Sequence, residues 1–496
     1  MWLILFEEMN ISKLKVRIRI IFRFLVGFVM ANIGAVFSGI EKNRLKPFLD
    51  VTRKDGRVYG KRFMDISREY GSYMLANKYK ISPLVSFPTD VDVRVLWEWS
   101  RFEHVGADSV EEFFKTEYIY LRGYSIIGFG PLYISGLETS MRLINLLYLY
   151  ANKAERDYSI ETFIYRLFLW TYYNVENQEK EFKGNHYLIT KIALFIASSV
   201  LFGNSSNKYG KLQKELLKEL PKQFNADGSY YENSTGYHGF ALSALLILDK
   251  FTPLYNDVIR RYLDILLPKA MDFYKWCTVN DEFFLKVGDY DGAKFLSAPS
   301  LYENMYPLSY TQLSKSNLEN SAYTFEKQID ESTISYKYFD DFGLFIVRGT
   351  NFYFALRTGT SGGKLTHAHY DYGSFSLYID GFPIWTDKGN SSYNLNLNTR
   401  IQDRSSVSHN GLFNETEENL ERFNDIELQC FSIRHEITNG TLQIFYKMKR
   451  NGIDYNRDVV ISADHFAIID SKNVKPLSEQ KYFYIDYGKR QNITYS

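Results

Sequence analysis

Five of the eight histidines in this 496-residue chain lie in four short polar segments that carry other groups suited to acid–base chemistry. The first segment reads GNHYL at residues 184–188 and precedes an apolar helical pattern. Asn185 or His186 is therefore expected near a helix N-terminus, where backbone N–H groups attract anions. A helix cap with a packed histidine is the alternative interpretation.

Two further segments combine aromatic and acidic side chains, and the first of them also carries a histidine. The sequence DGSYYENSTGYH at 227–238 places Tyr237 beside His238, a pair suited to proton transfer. A capping box with stacked aromatic rings explains part of the same pattern. The sequence GDYDG at 288–292 sets Asp289 and Asp291 around a tyrosine at a turn. Substrate contact and a simple Asx turn both stay open for these two carboxylates.

A fourth group of polar residues follows in the second half of the chain, in HAHYD at 367–371, TDKG at 386–389 and SHN at 408–410. In an extended chain His367 and His369 point to the same face. His369, Asp387 and His409 together offer the nitrogen and oxygen ligands that suit Zn²⁺. Separate hydrogen-bonded residues at strand ends are the alternative.

Composition limits the classes of partner. The chain has 45% hydrophobic and 24% charged residues with 11 prolines, which indicates a globular protein of two or three domains. Lys and Arg number 59 against 58 Asp and Glu, so no overall positive field favours nucleic acid. The two cysteines, far apart in sequence, indicate neither a CxxC metal pair nor a disulfide scaffold. Aromatic residues at 17% suit clefts that stack on sugars.

The N-terminal segment 1–45 is open to several interpretations. An apolar run from Phe24 to Phe37 follows the basic residues Lys13, Lys15, Arg17, Arg19 and Arg23. This order resembles a signal peptide or short anchor, and an amphipathic first helix gives the same pattern. The run is shorter than the roughly 20 residues of a membrane span. A periplasmic or envelope location, membrane association and a cytoplasmic location therefore all stay open.

Hydrophobic periodicity changes once along the chain. Apolar residues recur at helical spacing in 109–121, 160–173, 188–202, 209–224, 240–251 and 258–276. Short β-rich runs follow at 343–348, 352–357, 374–379, 428–435, 441–448, 459–461 and 482–485, separated by turn signals. We therefore predict a multidomain α+β protein, with a helical domain at 46–325 and an antiparallel β-sandwich at 326–496.

Taken in order, the segments resemble those of the heparinase II/III-like polysaccharide lyases. The resemblance begins with DVRVLWEWSRF at 92–102, continues through the motifs above and ends with RIQDRSSVSHN at 400–410. It implies an incomplete α/α toroid followed by an antiparallel β-sandwich, in agreement with the periodicity. Tyr370 departs from the family pattern, which often has Asn there. Because the chain stops at Ser496, an abbreviated sandwich is one expectation.

The resemblance also implies a reaction, β-elimination at a uronic acid of an anionic polysaccharide. The C5 proton is removed and the C4 glycosidic oxygen leaves, which produces a 4,5-unsaturated uronate end. By similarity Asn185 and His186 neutralise the uronate carboxylate, and Tyr237 transfers the proton. His367 is either the partner base for the opposite uronate epimer or a further neutralising group.

Two further sets of residues come from the same resemblance. A structural Zn²⁺ is expected at His369, Asp387 and His409, and no organic cofactor is expected. The expected substrate contacts are Tyr231, Glu232, His238, Asp289, Asp291, Tyr393, Arg400 and Arg404.

Two alternatives belong to other functional classes. One is a non-catalytic polysaccharide-binding or assembly protein of a surface-glycan pathway. The other is a toroid glycoside hydrolase, in which Asp289, Asp291 and Glu232 would supply an acid/base pair. The sequence leaves open the glycan, the uronate epimer, endo or exo cleavage and the oligomeric state.

Overall fold

The structure is a computed structural model in which helices precede antiparallel sheets, as the periodicity predicts. It describes residues 11–33, 37, 39–49, 97, 100–119, 126–128, 131–176, 180, 183–251, 257–280, 283–290, 295, 334–350, 352–359, 367–390, 397–414, 428–450, 452–461, 466–471, 482–486 and 489–492. The chain divides into two compact units that are each discontinuous in sequence. Unit 1 comprises Met1–Lys222, Ser243–Ile265 and Lys294–Glu303, and unit 2 comprises Gln223–Leu242, Leu266–Ala293 and Asn304–Ser496.

The described α-helices are, in chain order, α1 (Ile11–Asn32), α2 (Lys46–Leu49), α3 (Val110–Lys115), α4 (Gly136–Ala151), α5 (Tyr158–Tyr173), α6 (Gly184–Phe202), α7 (Asn207–Gln223), α8 (Thr235–Lys250), α9 (Asp257–Cys277) and α10 (Leu397–Arg404). The six helical predictions correspond to α3 and α5–α9. The first predicted segment, 109–121, contains α3, then a turn at Thr116 and further helix at 117–119. Helix α4, which is buried along nearly its whole length, was not predicted.

In unit 1 the helices α4, α5 and α6 pack against one another. Asp157 caps α5, with its side chain accepting from the backbone N–H groups of Ser159 and Ile160. Helix α6 alone among the described helices combines the length and hydropathy of a membrane span, and 89% of that stretch is buried inside the protein. A core position explains its continuous apolar sequence.

The described strands of unit 2 form three antiparallel sheets. The first has the order β1 (Ser335–Phe339), β2 (Leu344–Arg348), β3 (Phe352–Arg357), β4 (Phe375–Ile379) and β5 (Phe382–Trp385). The second has the order β6 (Leu428–Thr438), β7 (Thr441–Arg450), β8 (Ile453–Ile461) and β9 (Phe466–Asp470). A separate pair joins β10 (Tyr482–Asp486) to β11 (Lys489–Asn492).

The first two sheets share one hydrophobic core. Phe354 and Leu377 from the first sheet lie in the same buried cluster as Ile444, Tyr446 and Val459 from the second. Strand β7 alternates buried and exposed side chains, as a strand with one face on a core requires. Strands β3 and β4 are buried along their whole length. Their second face is covered within unit 2, where the Phe283 ring contacts Tyr378.

Several details of the β half differ from the predictions. Strands β1, β9 and β11 were not predicted, and Phe382 and Pro383, which follow Gly381 in a pattern typical of a turn, begin strand β5. The turn itself is Asp380–Gly381, where both residues have positive φ. The predicted domain limits, 46–325 and 326–496, follow chain order and stay a prediction. In the compact units, segments 223–242 and 266–293 group with the sheets.

Candidate active site

Tyr237 lies in the first turn of α8, and the loop before it fixes its position. Ser234 Oγ accepts from the Tyr237 N–H at 3.1 Å and donates to the Asp289 carbonyl oxygen at 2.5 Å. The hydroxyl thus satisfies a helix N-terminus and ties α8 to the loop of Asp289. The DGSYYENSTGYH segment therefore initiates a helix, as its capping interpretation expected.

The Tyr237 ring stacks on the imidazole of His367. The ring centroids are 3.5 Å apart and the planes differ by 13°. His367 is 6% exposed and has a carboxylate beside each ring nitrogen. Asp289 Oδ2 is 2.9 Å from Nδ1, and Glu232 Oε2 is 3.5 Å from Nε2. The structure therefore brings together two of the four predicted catalytic residues.

Asp289 connects His367 to His369. Its Oδ2 lies 2.9 Å from His367 Nδ1 and 3.0 Å from Arg400 Nη2, and its Oδ1 lies 3.0 Å from His369 Nε2. Burial raises the pKa of the Asp289 carboxyl, but hydrogen bonds from His367 and His369 outweigh burial and hold that pKa well below its usual value.

An ionised Asp289 determines which ring nitrogens carry protons. A carboxylate only accepts, so His367 must donate through Nδ1 and His369 through Nε2. In its neutral form His367 then has a lone pair on Nε2, and His369 has one on Nδ1. One buried carboxylate therefore prepares a proton acceptor on His367 and a metal ligand on His369.

Gly288 lets the Asp289 loop approach the HAHYD segment closely. Its φ is +71°, and a Cβ at this position would lie 2.4 Å from the His367 carbonyl oxygen. The Asp289 N–H donates to that same oxygen at 2.8 Å. Only glycine permits both the backbone conformation and the contact. The glycine of the GDYDG motif therefore serves the pairing of Asp289 with His367.

His369, Asp387 and His409 form the predicted metal-binding trio. One potential ligand atom from each lies within 4.8 Å of the others. His409 Nδ1 donates to Asp387 Oδ2 at 2.7 Å, which leaves a lone pair on Nε2 of the neutral ring. His369 Nδ1 and His409 Nε2 are buried and have no hydrogen-bond partner among the described residues. Two orphaned nitrogens beside a carboxylate fit a divalent cation such as Zn²⁺.

Helix α10 holds the HAHYD segment from its other side. Arg404 Nη2 donates to the Ala368 carbonyl oxygen at 3.0 Å, and the Tyr370 N–H donates to the Arg404 carbonyl oxygen at 2.9 Å. Arg400, one turn earlier, reaches Asp289. Both arginines were predicted to contact substrate, and the structure gives each a contact inside unit 2 that positions the histidine segment.

Asn185 and His186 lie at the start of α6 in unit 1. Asn185 is 3% exposed, whereas 41% of the His186 side chain is exposed. His186 Nδ1 lies 2.6 Å from Glu176 Oε2. The predicted position at a helix N-terminus is therefore correct, and His186 combines a fixed Nδ1 with an accessible ring.

Glu176 is itself fixed at the N-terminus of α4. Its Oε1 accepts from the Ser135 hydroxyl at 2.7 Å and from the Gly136 N–H at 2.6 Å. Burial raises the pKa of Glu176, but the His186 charge and these donors outweigh it and lower the pKa to about 2. Glu176 therefore stays ionised and accepts from His186.

Other predicted substrate contacts are buried in unit 2. Tyr231, Glu232 and Asp289 are 6%, 1% and 0% exposed. His238 is also fully buried, and its Nε2 lies 3.0 Å from the Ala270 carbonyl oxygen. Burial lowers the pKa of His238 to about 3, so the ring is neutral. These four buried residues suit a role in supporting the site. The remaining two, Asp291 and Tyr393, lie outside the described residues.

Sequence reasoning missed Glu176 and the linking role of Asp289. Glu176 lies ten residues before His186, in a segment that matches no motif. Asp289 was selected as a substrate contact because its turn carries two carboxylates. Its partners lie 78 and 80 residues further along the chain, and no local pattern indicates such pairs.

Comparisons with known proteins show likeness in the C-terminal sequence and in the fold. Residues 332–478 match the family described as heparinase II/III-like, C-terminal. A crystal structure of heparinase III superposes with a TM-score of 0.55 and 14% identity, over 88% of this chain and 78% of that one. A second heparinase III structure gives a TM-score of 0.50 and 14% identity, over 86% and 74%. The search of curated proteins found no match.

These likenesses extend over both the helical and the sheet regions. They confirm the predicted fold class, an incomplete α/α toroid followed by an antiparallel β-sandwich. The predicted resemblance to the heparinase II/III-like proteins is likewise confirmed.

Proposed function

We propose that this chain, whose residues 332–478 match the heparinase II/III-like C-terminal domain, is a polysaccharide lyase. The substrate in this proposal is an anionic polysaccharide that contains uronic acid. The products are a shortened glycan and a 4,5-unsaturated uronate end. The heparinase names of the structural neighbours support the class of enzyme, and the catalytic residues are assigned from the family resemblance together with the chemistry of the site.

Three chemical needs define such a site. The C5–H bond breaks and its electron pair forms the C4=C5 double bond while the C4–O bond breaks. A base must accept the C5 proton, and an acid must protonate the leaving oxygen. Negative charge also develops on the uronate carboxylate, so hydrogen-bond donors must face it.

The stacked pair of Tyr237 and His367 carries the proposal. A hydroxyl and an imidazole in adjacent parallel rings can share the proton transfers at C5 and at the leaving oxygen. Asp289 holds His367 in the form whose Nε2 accepts a proton. We assign proton transfer to Tyr237 and either base or carboxylate neutralisation to His367, depending on the uronate epimer.

Asn185 and His186 are assigned to the uronate carboxylate, following the family resemblance. The amide of Asn185 and the ring of His186 are both hydrogen-bond donors. Glu176 supports this role because it fixes the His186 ring by its Nδ1 while 41% of the His186 side chain is exposed. Both side chains begin α6, where the backbone N–H groups also favour negative charge.

A divalent cation, assigned as Zn²⁺, is proposed at His369, Asp387 and His409. The role of the ion there would be structural, because it would hold together the three segments that carry its ligands. The proton-transfer steps use Tyr237 and His367, which are not among these ligands. No organic cofactor is required by the proposed reaction.

The hydrolase alternative is weakened by the state of Asp289. A glycosidase acid must hold a proton near neutral pH, so its pKa must be raised. The Asp289 carboxyl instead accepts from two histidines and an arginine, and its pKa is lowered. Glu232 Oε2 lies 3.5 Å from Nε2 of His367, which fits a supporting role beside that ring.

A panel of uronate polysaccharides, including heparan sulfate and alginate, tests the proposal. We expect ultraviolet absorbance from a conjugated unsaturated uronate with at least one glycan, and its loss with Tyr237→Phe. That substitution removes one hydroxyl and keeps the ring stacked on His367. General acid–base catalysis contributes about 10²- to 10⁴-fold, so a loss of that size is expected with glycan binding unchanged.

Other outcomes would contradict the proposal. Reducing ends released without ultraviolet absorbance would indicate hydrolysis. Glycan binding with no cleavage across the panel would indicate a binding or assembly protein. Near wild-type turnover by Tyr237→Phe would show that Tyr237 does not transfer the proton.

A further inference from the structure

Helix α1 presents a stripe of exposed apolar side chains. Ile18, Phe22, Leu25 and Val29 are 56%, 65%, 55% and 47% exposed. Their spacing of three and four residues places them on one helix face. Among the described residues, eight of the eighteen exposed large apolar side chains lie between residues 18 and 33. Such a concentration is unusual for solvent-exposed surface and indicates an interaction site.

The opposite face of α1 packs within unit 1. The Phe24 ring contacts Trp170 of α5 edge to face, with 5.2 Å between centroids. At Gly27 a Cβ would come within 3.0 Å of Tyr173 Cβ, so the two helices approach closely there. The protein therefore holds α1 by one face and leaves the apolar stripe outward.

All charged residues of α1 are basic. Its sequence contains Lys13, Lys15, Arg17, Arg19 and Arg23 and has no acidic residue. The whole chain has a net charge of only +1, so this helix concentrates positive charge that the rest of the protein balances. An apolar stripe beside basic residues is typical of helices that lie in the interface of an anionic membrane.

The positive charge of α1 disfavours binding of a second copy of this chain to the apolar stripe. A symmetric dimer through α1 would set two strongly basic helices against each other. An anionic bilayer instead supplies both phosphate charges and an apolar layer. Five basic residues within 22 also make α1 unsuited to cross the bilayer.

We propose that α1 docks this protein on the surface of an anionic lipid bilayer. The helix lies parallel to the surface, with Ile18, Phe22 and Leu25 inserted among the acyl chains and basic side chains at the headgroups. This docking is independent of the proposed lyase chemistry, because no residue of α1 is assigned a catalytic or glycan-binding role.

Flotation of the purified full chain with vesicles tests the docking. One set of vesicles is pure phosphatidylcholine, and the other also contains phosphatidylglycerol. We expect the protein to float with the anionic vesicles only. Phe22→Asp with Leu25→Asp should weaken binding by about tenfold or more, because two inserted side chains are lost. Ile265→Asp is the matched control, since Ile265 is 69% exposed on α9, and it should bind like wild type.

A second variant tests the charge without altering the apolar stripe. Each basic residue near an anionic surface contributes about 1 kcal/mol, so Arg19→Glu with Arg23→Glu should lower binding by about tenfold or more. Circular dichroism and thermal unfolding establish that each variant is folded. Tyr237→Phe should float like wild type, which separates docking from the lyase proposal.

Four results would overturn the proposal. They are no flotation with either vesicle, equal flotation with both, unchanged binding by the Phe22→Asp, Leu25→Asp variant, and a wild-type dimer in sedimentation that this variant converts to a monomer. The last would assign the stripe to a second copy of the chain.

Discussion

Glu176 holds His186 through a hydrogen bond of 2.6 Å between its Oε2 and the ring Nδ1. The other oxygen of the same carboxylate is held by Ser135 and the first N–H group of α4. The imidazole at the start of α6 is therefore oriented by the N-terminus of another helix. This arrangement gives Glu176 a positioning role that can be measured.

Glu176→Gln should lower kcat by about tenfold to a hundredfold with a smaller change in KM. The amide keeps the shape but loses the charge that strengthens the hydrogen bond to His186, and bonds to charged groups are worth about 1.5–3 kcal/mol. Steady-state kinetics on the glycan found by the panel measures the effect. Glu111→Gln, which removes an exposed partner of Lys153, is the control and should leave kcat unchanged. Wild-type kcat in Glu176→Gln would reject the positioning role.

The same carboxylate should make folding stability depend on pH. The pKa of Glu176 is about 2 in the folded protein against an ordinary 4.5. A lowered pKa means that the stabilisation is complete above about pH 4.5 and is lost as pH falls toward 2. The difference in unfolding free energy between wild type and Glu176→Gln should therefore shrink across that range, from at most about 3 kcal/mol. Urea unfolding at several pH values measures it, and a difference that does not change with pH would contradict the prediction.

Asn185→Ala should lower kcat by about 10²- to 10³-fold while KM changes little. Its amide is expected to act on charge that develops during the reaction, and removing one such donor has an effect of this size. Asn152→Ala, at the C-terminal end of α4, is the control. A change confined to KM would reassign Asn185 to ground-state binding.

Asp289→Asn should reduce turnover and metal content together. One carboxylate fixes the proton positions on both His367 and His369, and an amide cannot accept from both rings through two oxygens. Breaking a buried charged network also costs about 3–5 kcal/mol of stability. Turnover, elemental analysis and thermal unfolding are compared with Asp264→Asn, an exposed aspartate of α9. Loss of turnover with full metal content would show that Asp289 serves His367 alone.

Chelation should lower thermal stability and activity in parallel, because the ion would tie three separate segments of unit 2. His409→Ala should reproduce both effects, and added Zn²⁺ should restore the chelated wild type but not the variant. Elemental analysis of the purified protein is the first measurement. Protein without stoichiometric metal would leave the trio as a hydrogen-bonded group.

The sequence alone determined those features that depend on residues close together along the chain. Helical spacing predicted α5–α9, and alternation predicted β7, because burial of one face leaves a regular pattern in the chain. The order of short motifs predicted the fold class and the trio His369, Asp387 and His409. These inferences needed no knowledge of which elements pack together.

Only the tertiary structure decided how the motifs work together. Periodicity reports that a face is buried but not what covers it. The pairing of Glu176 with His186 depends on where a loop meets a helix N-terminus. Asp289 became a link between two histidines because Gly288 lets two loops approach within hydrogen-bonding distance. A contact between residues 78 positions apart is fixed by packing of the whole unit, and no local stretch of sequence records it.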